Sequence, residues 1–166
     1  MTSNNTFIDD ALFRGIIENT PLVSLDLVVK REGKVLLGKR VNKPAKGYWF
    51  TIGGRILKNE KIEEAISRIA GEELGVVLEV PAGFIGVFEH LYDDSIYEDI
   101  STHYVDLVYE VEIDDLPALP KEQHDTYRWF GVDELLQSDR VHRYVKDIFT
   151  PKRGAAPNQT KENRDG

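Results

Sequence analysis

Glycines, carboxylates and an arginine at helical spacing gather in a single stretch of this chain: Gly53-Gly54, then Glu60, Glu64, Arg68, Glu72 and Glu73. The residues from about Glu60 to Leu74 read as a helix, with Asn59 as its cap and Gly75 as its stop. At about 100° per residue, Ile62, Ala65, Ile66, Ile69 and Ala70 share a core-facing stripe, and Glu73 falls about 20° from Ile62, inside it. A carboxylate there is costly to bury unpaired. A metal ion or an arginine would resolve the conflict, and so would fraying of the helix end into solvent. Glu64 and Glu72 each lie four residues from Arg68, the spacing of a side-chain pair or simply of a solvated charged face. Glu60, in the first turn, suits the helix dipole. Paired glycines before the helix make a plain turn or let backbone approach a ligand. A free carbonyl there, beside a helix-borne carboxylate, would make a hard-oxygen Mg²⁺ site completed by waters and a diphosphate.

The elements that must position these groups follow from periodicity and punctuation. Residues 7–17 have helical spacing and end before Thr20-Pro21. Leu22–Val29 and Val35–Leu37 are strand-like around an Arg31–Lys34 turn, and Lys43–Gly47 is a loop before the apolar Tyr48–Ile52. Phe84–Phe88 and Tyr104–Val111 are strands around a polar Tyr92–Thr102 loop that could cover the site. Asp114–His124 is a loop, Tyr127–Phe130 a short strand, and Val132–Gln137 and Arg140–Phe149 are helical. We place one domain at 1–150 and read 151–166, polar and turn-rich, as a disordered tail.

The 166 residues suit one domain, and 41% hydrophobic residues supply a core. No apolar run approaches a membrane span, and the first residues lack the pattern of a signal peptide. The absence of cysteine excludes disulfides and thiolate metal sites. A cytoplasmic protein with no membrane partner is the expectation. With 29 acidic against 21 basic residues the net charge is −8, which disfavours nucleic-acid binding and requires local arginines or a metal wherever a small anion sits.

Gly54, five residues, Glu60, seven residues, Arg68, then Glu72-Glu73-Leu74-Gly75-Val76 resembles the Nudix box, G-x5-E-x7-R-E-U-x-E-E-x-G-U with U apolar. One position departs: the glutamate after the arginine is Ile69. Thr20–Asp26, Leu36–Arg40, Gly47–Phe50, Gly53–Arg55, Tyr92–Asp94, Thr102–Val105 and Glu122–Asp125 resemble the GDP-mannose mannosyl hydrolase branch, which lacks the same glutamate. Two details differ from that branch: Glu72 is acidic, and Ile52 stands where proline is usual.

The resemblance implies an α/β Nudix fold, an α/β/α sandwich around a mixed β-sheet. It further implies a homodimer acting on a small nucleotide sugar, GDP-mannose or also GDP-glucose. Carried over by position, Gly53 (through its carbonyl), Glu73 and Gln123 would hold Mg²⁺, with Mn²⁺ as an alternative. His124 would be the general base. Arg40, Arg55 and Arg68 would neutralise the leaving diphosphate, Arg40 reaching across the dimer. Asp26, His90 and Tyr104 would surround the sugar or the developing charge.

In this branch water attacks the anomeric carbon with inversion, giving GDP and free sugar. A stabilised diphosphate leaving group needs no strong acid, and histidine has the pKa a base needs at neutral pH. Without the resemblance, His124 is a solvated loop group, His90 and His103 are structural or surface residues, His142 is surface, and Trp49 and Trp129 pack in the core. Two other readings stay open: a conventional Nudix diphosphatase that attacks phosphorus, kept alive by Glu72-Glu73, and a non-catalytic nucleotide-sugar-binding module, supported by Ile69 alone.

Overall fold

The computed structural model describes residues 8–78, 82–116 and 124–151, with backbone alone at 124–126. Helix α1 (Asp10–Asn19) starts later than the periodicity suggests, because the Asp9 carboxylate accepts from the Leu12 N–H and caps it. Strands β1 (Leu22–Arg31) and β2 (Lys34–Arg40) form the expected hairpin. Strands β3 (Trp49–Phe50) and β4 (Ile52–Arg55) divide the apolar run before the glycines. After helix α2 come β5 (Gly83–Tyr92), β6 (Thr102–Glu112), β7 (His124–Gly131), α3 (Val132–Gln137) and α4 (Arg143–Phe149).

The sheet is mixed. Its order is β3-β2-β1-β6-β5, with β4 also pairing β1 and β7 also pairing β2. β1 and β6 run parallel from Leu22↔Tyr104 to Lys30↔Glu112, and the other pairs are antiparallel. Alternation along β1 assigns its two faces. Leu25, Leu27 and Val29 pack with Ile66, Ile69 and Leu74 of the box helix. Val28 packs on the opposite face with Phe130, Leu135, Tyr144 and Val145 of the C-terminal elements. This is the α/β/α sandwich that the resemblance implies. Trp49 meets Phe130 edge to face, and Trp129 lies under the Arg31 guanidinium, so both tryptophans pack as expected.

The box helix differs from the single helix read at 60–74. The α-helical part, α2, spans Ile62–Ile69, and its N-cap is Lys61, whose N–H donates to Glu64. Asn59 instead takes a left-handed turn conformation, φ 66°, before the helix. Ile62, at the open first turn, is exposed. Ala70–Leu74 forms a π-helical turn, stopped by Gly75 at φ 68°. A wider turn rotates less per residue than an α-helix. Leu74 therefore takes the core position, fully buried, and Glu73 is carried off the stripe onto the wall of a cleft.

Of the Tyr92–Thr102 loop, Tyr92 lines that cleft. Tyr97 donates to the Asp10 carboxylate at 2.7 Å, and Ile100 packs on Ile17 and Leu22, so the loop seats on α1. Among the described residues no helix is long and apolar enough to cross a membrane.

Candidate active site

A cleft of about 300 Å³ collects Asp26, Arg40, Gly53, Arg55, Arg68, Glu73, His90 and Tyr104 from β1, β2, β4, the box helix, β5 and β6. Eight residues drawn from across 79 positions of sequence thus line one cavity. It reaches both faces of the sheet. Gly54 sits against Ile69 on the box-helix face, while Gly53 sits against Asp26 on the other.

Gly53 is required by packing. A Cβ there would collide with the Asp26 carboxylate and lie 2.6 Å from the Leu25 carbonyl. Gly53→Ala is therefore expected to lower stability by about 1–3 kcal/mol, as overpacking does. Chemical denaturation would show this as a lower midpoint at unchanged slope. An unchanged midpoint would mean that β4 shifts at no cost.

Ile69, at the position where the box has glutamate, is 1% exposed and belongs to the core under β1. Glu73 is buried to 4%. Its charge is felt by Tyr127 on β7, whose phenol is pushed up to about 12 by burial and by Glu73. Glu72 is exposed and accepts from Arg68 at 3.1 Å.

Arg68 has partners other than those the resemblance assigns. Its Nε and Nη2 donate to the two Glu60 oxygens at 2.6 and 3.0 Å, and Nη2 also donates to the Arg55 carbonyl at 2.8 Å. With Nη1 on Glu72, four of the five guanidinium N–H groups are engaged, so this side chain braces the loop against the helix while it also lines the cleft. The expected Glu64 pairing is also replaced, since Glu64 caps the helix.

Hydrogen bonds from Arg68 hold the Glu60 carboxyl below its ordinary range. A carboxylate with a depressed folded pKa contributes stability above its unfolded pKa, and the contribution is lost as pH falls through the folded value. Arg68→Ala is expected to cost about 1–3 kcal/mol at neutral pH, the worth of charge-assisted bonds, and to flatten the acid limb of the stability curve below about pH 4.5. Melting curves from pH 3 to 7 test this; parallel curves for the two proteins would remove the pair from the account.

Arg40 donates from Nε to the Pro44 carbonyl at 2.9 Å and lies over Phe50, and Arg55 lies over Phe13. Their remaining donors are available to an anion. Tyr104 and Tyr92 have phenols raised by burial, so both hydroxyls stay protonated at working pH. His124 begins β7 opposite Arg40, after a register shift that follows the Gly38↔Tyr127 pair. Gln123 lies outside the described residues, as does most of the expected tail.

The other sheet face holds groups that spacing did not flag. Asp106 is fully buried on β6 beside Asp26. Ser24 donates to Asp106 Oδ1 and Thr51 to Asp26 Oδ2, each at 2.7 Å. Burial raises both carboxyls, Asp106 to about 6 and Asp26 well up, with the neighbouring Asp106 charge adding to the second. His90 stacks on Tyr144 at 4.4 Å and 10°, and burial followed by His142 lowers it to about 4. His142 is half-buried: its Nδ1 accepts from the Tyr144 N–H, capping α4, and burial followed by Arg143 takes it to about 4. Asp26 and Asp106 each interrupt an apolar strand run, which was the available signal.

A mixed sheet between helices, with Glu72 and Glu73 on a π turn at the cleft, is the architecture that the box resemblance implies. The NUDIX domain model matches residues 21–150, and the chain belongs to the Nudix hydrolase family. It is 45% identical to the low-salt glycan biosynthesis protein Agl8 of Haloferax volcanii over 84% of this chain and 90% of that protein. It is 32% identical to an ADP-ribose pyrophosphatase of Methanocaldococcus jannaschii over 81% of this chain and 76% of that one. A MutT Nudix hydrolase from Burkholderia pseudomallei superposes with TM-score 0.64 at 26% identity, covering 78% and 96% of the two chains. Nudix hydrolases generally use divalent metals.

Proposed function

We propose that this Nudix hydrolase cleaves a nucleotide sugar, with GDP-mannose the first candidate, by water attack at the anomeric carbon. The observation that carries the reading is Ile69. Where the box has a carboxylate, the chain has a side chain 1% exposed and packed into the core, leaving Glu73 as the buried box carboxylate on the cleft. A reduced carboxylate set suits stabilising a leaving diphosphate better than assembling several metals around an attack on phosphorus. The 45% identical relative bears the name of a glycan biosynthesis protein, and glycan assembly draws on nucleotide sugars.

The donors fit a hard divalent cation, because a buried carboxylate, Glu73, and the Gly53 backbone line the same cleft. Glu73, the Gly53 carbonyl and Gln123 would hold Mg²⁺, or Mn²⁺ in its place. When bound, the ion offsets negative charge on the diphosphate. Arg40 and Arg55 bind the same anion from β2 and β4. Arg68, through Glu60 and the Arg55 carbonyl, positions Arg55. His124 takes a proton from water as the water oxygen bonds to the anomeric carbon. The carbon–oxygen bond breaks, and its electron pair stays on the diphosphate as GDP leaves. Asp26, His90 and Tyr104 would face the sugar. A homodimer in the cytoplasm completes this reading.

Product analysis by ³¹P NMR with GDP-α-D-mannose and Mg²⁺ tests it. GDP without a phosphosugar is expected. GMP with mannose 1-phosphate would overturn carbon attack in favour of the diphosphatase reading, which Glu72 and the ADP-ribose pyrophosphatase relative support.

A further inference from the structure

We propose that Asp26, His90 and Asp106 form a second cation site, for a transition-metal dication such as Zn²⁺ or Mn²⁺, on the sheet face opposite the box helix. Their ligating atoms all lie within 4.8 Å of one another, and all three residues are buried. The independent sign is an orphaned donor set. His90 is 4% exposed, and its Nε2 has no hydrogen-bond partner; Asp106 is 0% exposed, and its Oδ2 is equally without one. The two atoms face each other at 3.8 Å, too long for a hydrogen bond but an ordinary separation for two ligands of one ion with bonds of about 2.0–2.2 Å.

Geometry around the three atoms is fixed from outside. Ser24 and Thr51 each hold one oxygen of Asp106 and Asp26, leaving the other oxygens for a ligand. Tyr144 stacks on His90, and its hydroxyl donates to the Leu91 carbonyl at 2.7 Å and accepts from the Leu91 N–H at 2.8 Å, which fixes the imidazole plane to α4. Such supporting shells are what metal ligands have. Among the described residues no arginine or lysine comes within ion-pair distance of either carboxylate.

Charge and donor type point to the class of ion. Two carboxylates are balanced by one dication, whereas a proton shared between them leaves His90 Nε2 with nothing to bind. One imidazole nitrogen with two carboxylates favours zinc or manganese over the all-oxygen preference of Mg²⁺. Asp26 and His90 line the cleft while Asp106 lies behind them, so an open coordination position on the ion would carry their interaction with the sugar of the proposed function. Glu73 is not one of the three ligands, and the π turn carries it rather than the sheet.

Co²⁺, a coloured probe of nitrogen and oxygen sites, tests this on the full chain after chelator treatment. Glu73→Gln serves as the background, so that metal binding at the box is weakened. One equivalent of Co²⁺ with visible d–d absorption, displaced by Zn²⁺, is expected. Asp106→Asn and His90→Phe, which keeps the stack on Tyr144, should each weaken binding by more than the roughly 10–100-fold of losing an outer-shell partner. Circular dichroism confirms folding of each variant. No stoichiometric Co²⁺ in the Glu73→Gln background overturns the site and leaves a proton-sharing carboxyl pair. Equal affinity in the folded His90→Phe variant overturns it too.

Discussion

His124→Ala is expected to slow turnover by about 10²–10⁴-fold at neutral pH, the usual worth of a general base, while GDP binding stays nearly unchanged. The reason is the division of labour in carbon attack. In the proposed reading Arg40 and Arg55, both in the cleft lining, hold the diphosphate. The base acts on water alone, so removing it raises the barrier without weakening ground-state binding. The backbone places His124 opposite Arg40, which lines the cleft, so the first residue of β7 begins at the cavity's edge. The wild-type rate should also fall on the acid side as the base is protonated, and the variant should lose that limb. Single-turnover rates from pH 5 to 9, with GDP affinity measured alongside, decide it. A variant with near wild-type turnover at neutral pH would remove His124 as the base, whatever the products are.

How much of this was visible beforehand depended on the kind of signal. The sandwich is implied by the resemblance: β1 is apolar along most of its length, and only the structure sends Leu25 and Leu27 to one core and Val28 to the other. The cleft's box residues were legible because their spacing encodes one helix. The π turn was not legible, since spacing assumes a constant rotation per residue and one widened turn moves Glu73 from stripe to wall. Arg68 was misread for a related reason. Its principal partner, Glu60, is eight residues away and precedes the helix, so a rule of three and four residues finds Glu72, which does pair, and Glu64, which does not, but misses Glu60. Asp106 lies 80 residues from Asp26, and only the parallel pairing of β1 with β6 makes them neighbours. His142 looked exposed because a one-turn pattern cannot show that its ring caps α4 and packs on Tyr92 and Phe50.

Glu73→Gln should reduce kcat/KM by about 10²–10³-fold, comparable to deleting one group that stabilises transition-state charge, and raise the Mg²⁺ concentration needed for half-maximal rate. Glutamine keeps the shape and one oxygen but removes the charge, so the variant isolates the electrostatic part of metal binding. It also separates that role from a structural one. The carboxylate is 4% exposed, and a neutral amide in the same place is cheaper to bury, so the melting temperature should hold or rise while activity falls. Loss of activity together with a lower melting temperature would mean that the carboxylate chiefly holds the π turn. A second readout follows from Tyr127, whose phenol the Glu73 charge helps push up to about 12: in the variant its ultraviolet titration should begin at lower pH. If the metal dependence is unchanged while Tyr127 shifts, Glu73 carries its charge in the cleft without being a ligand, and Glu72, at the exposed end of the Arg68 pair, becomes the carboxylate to test next.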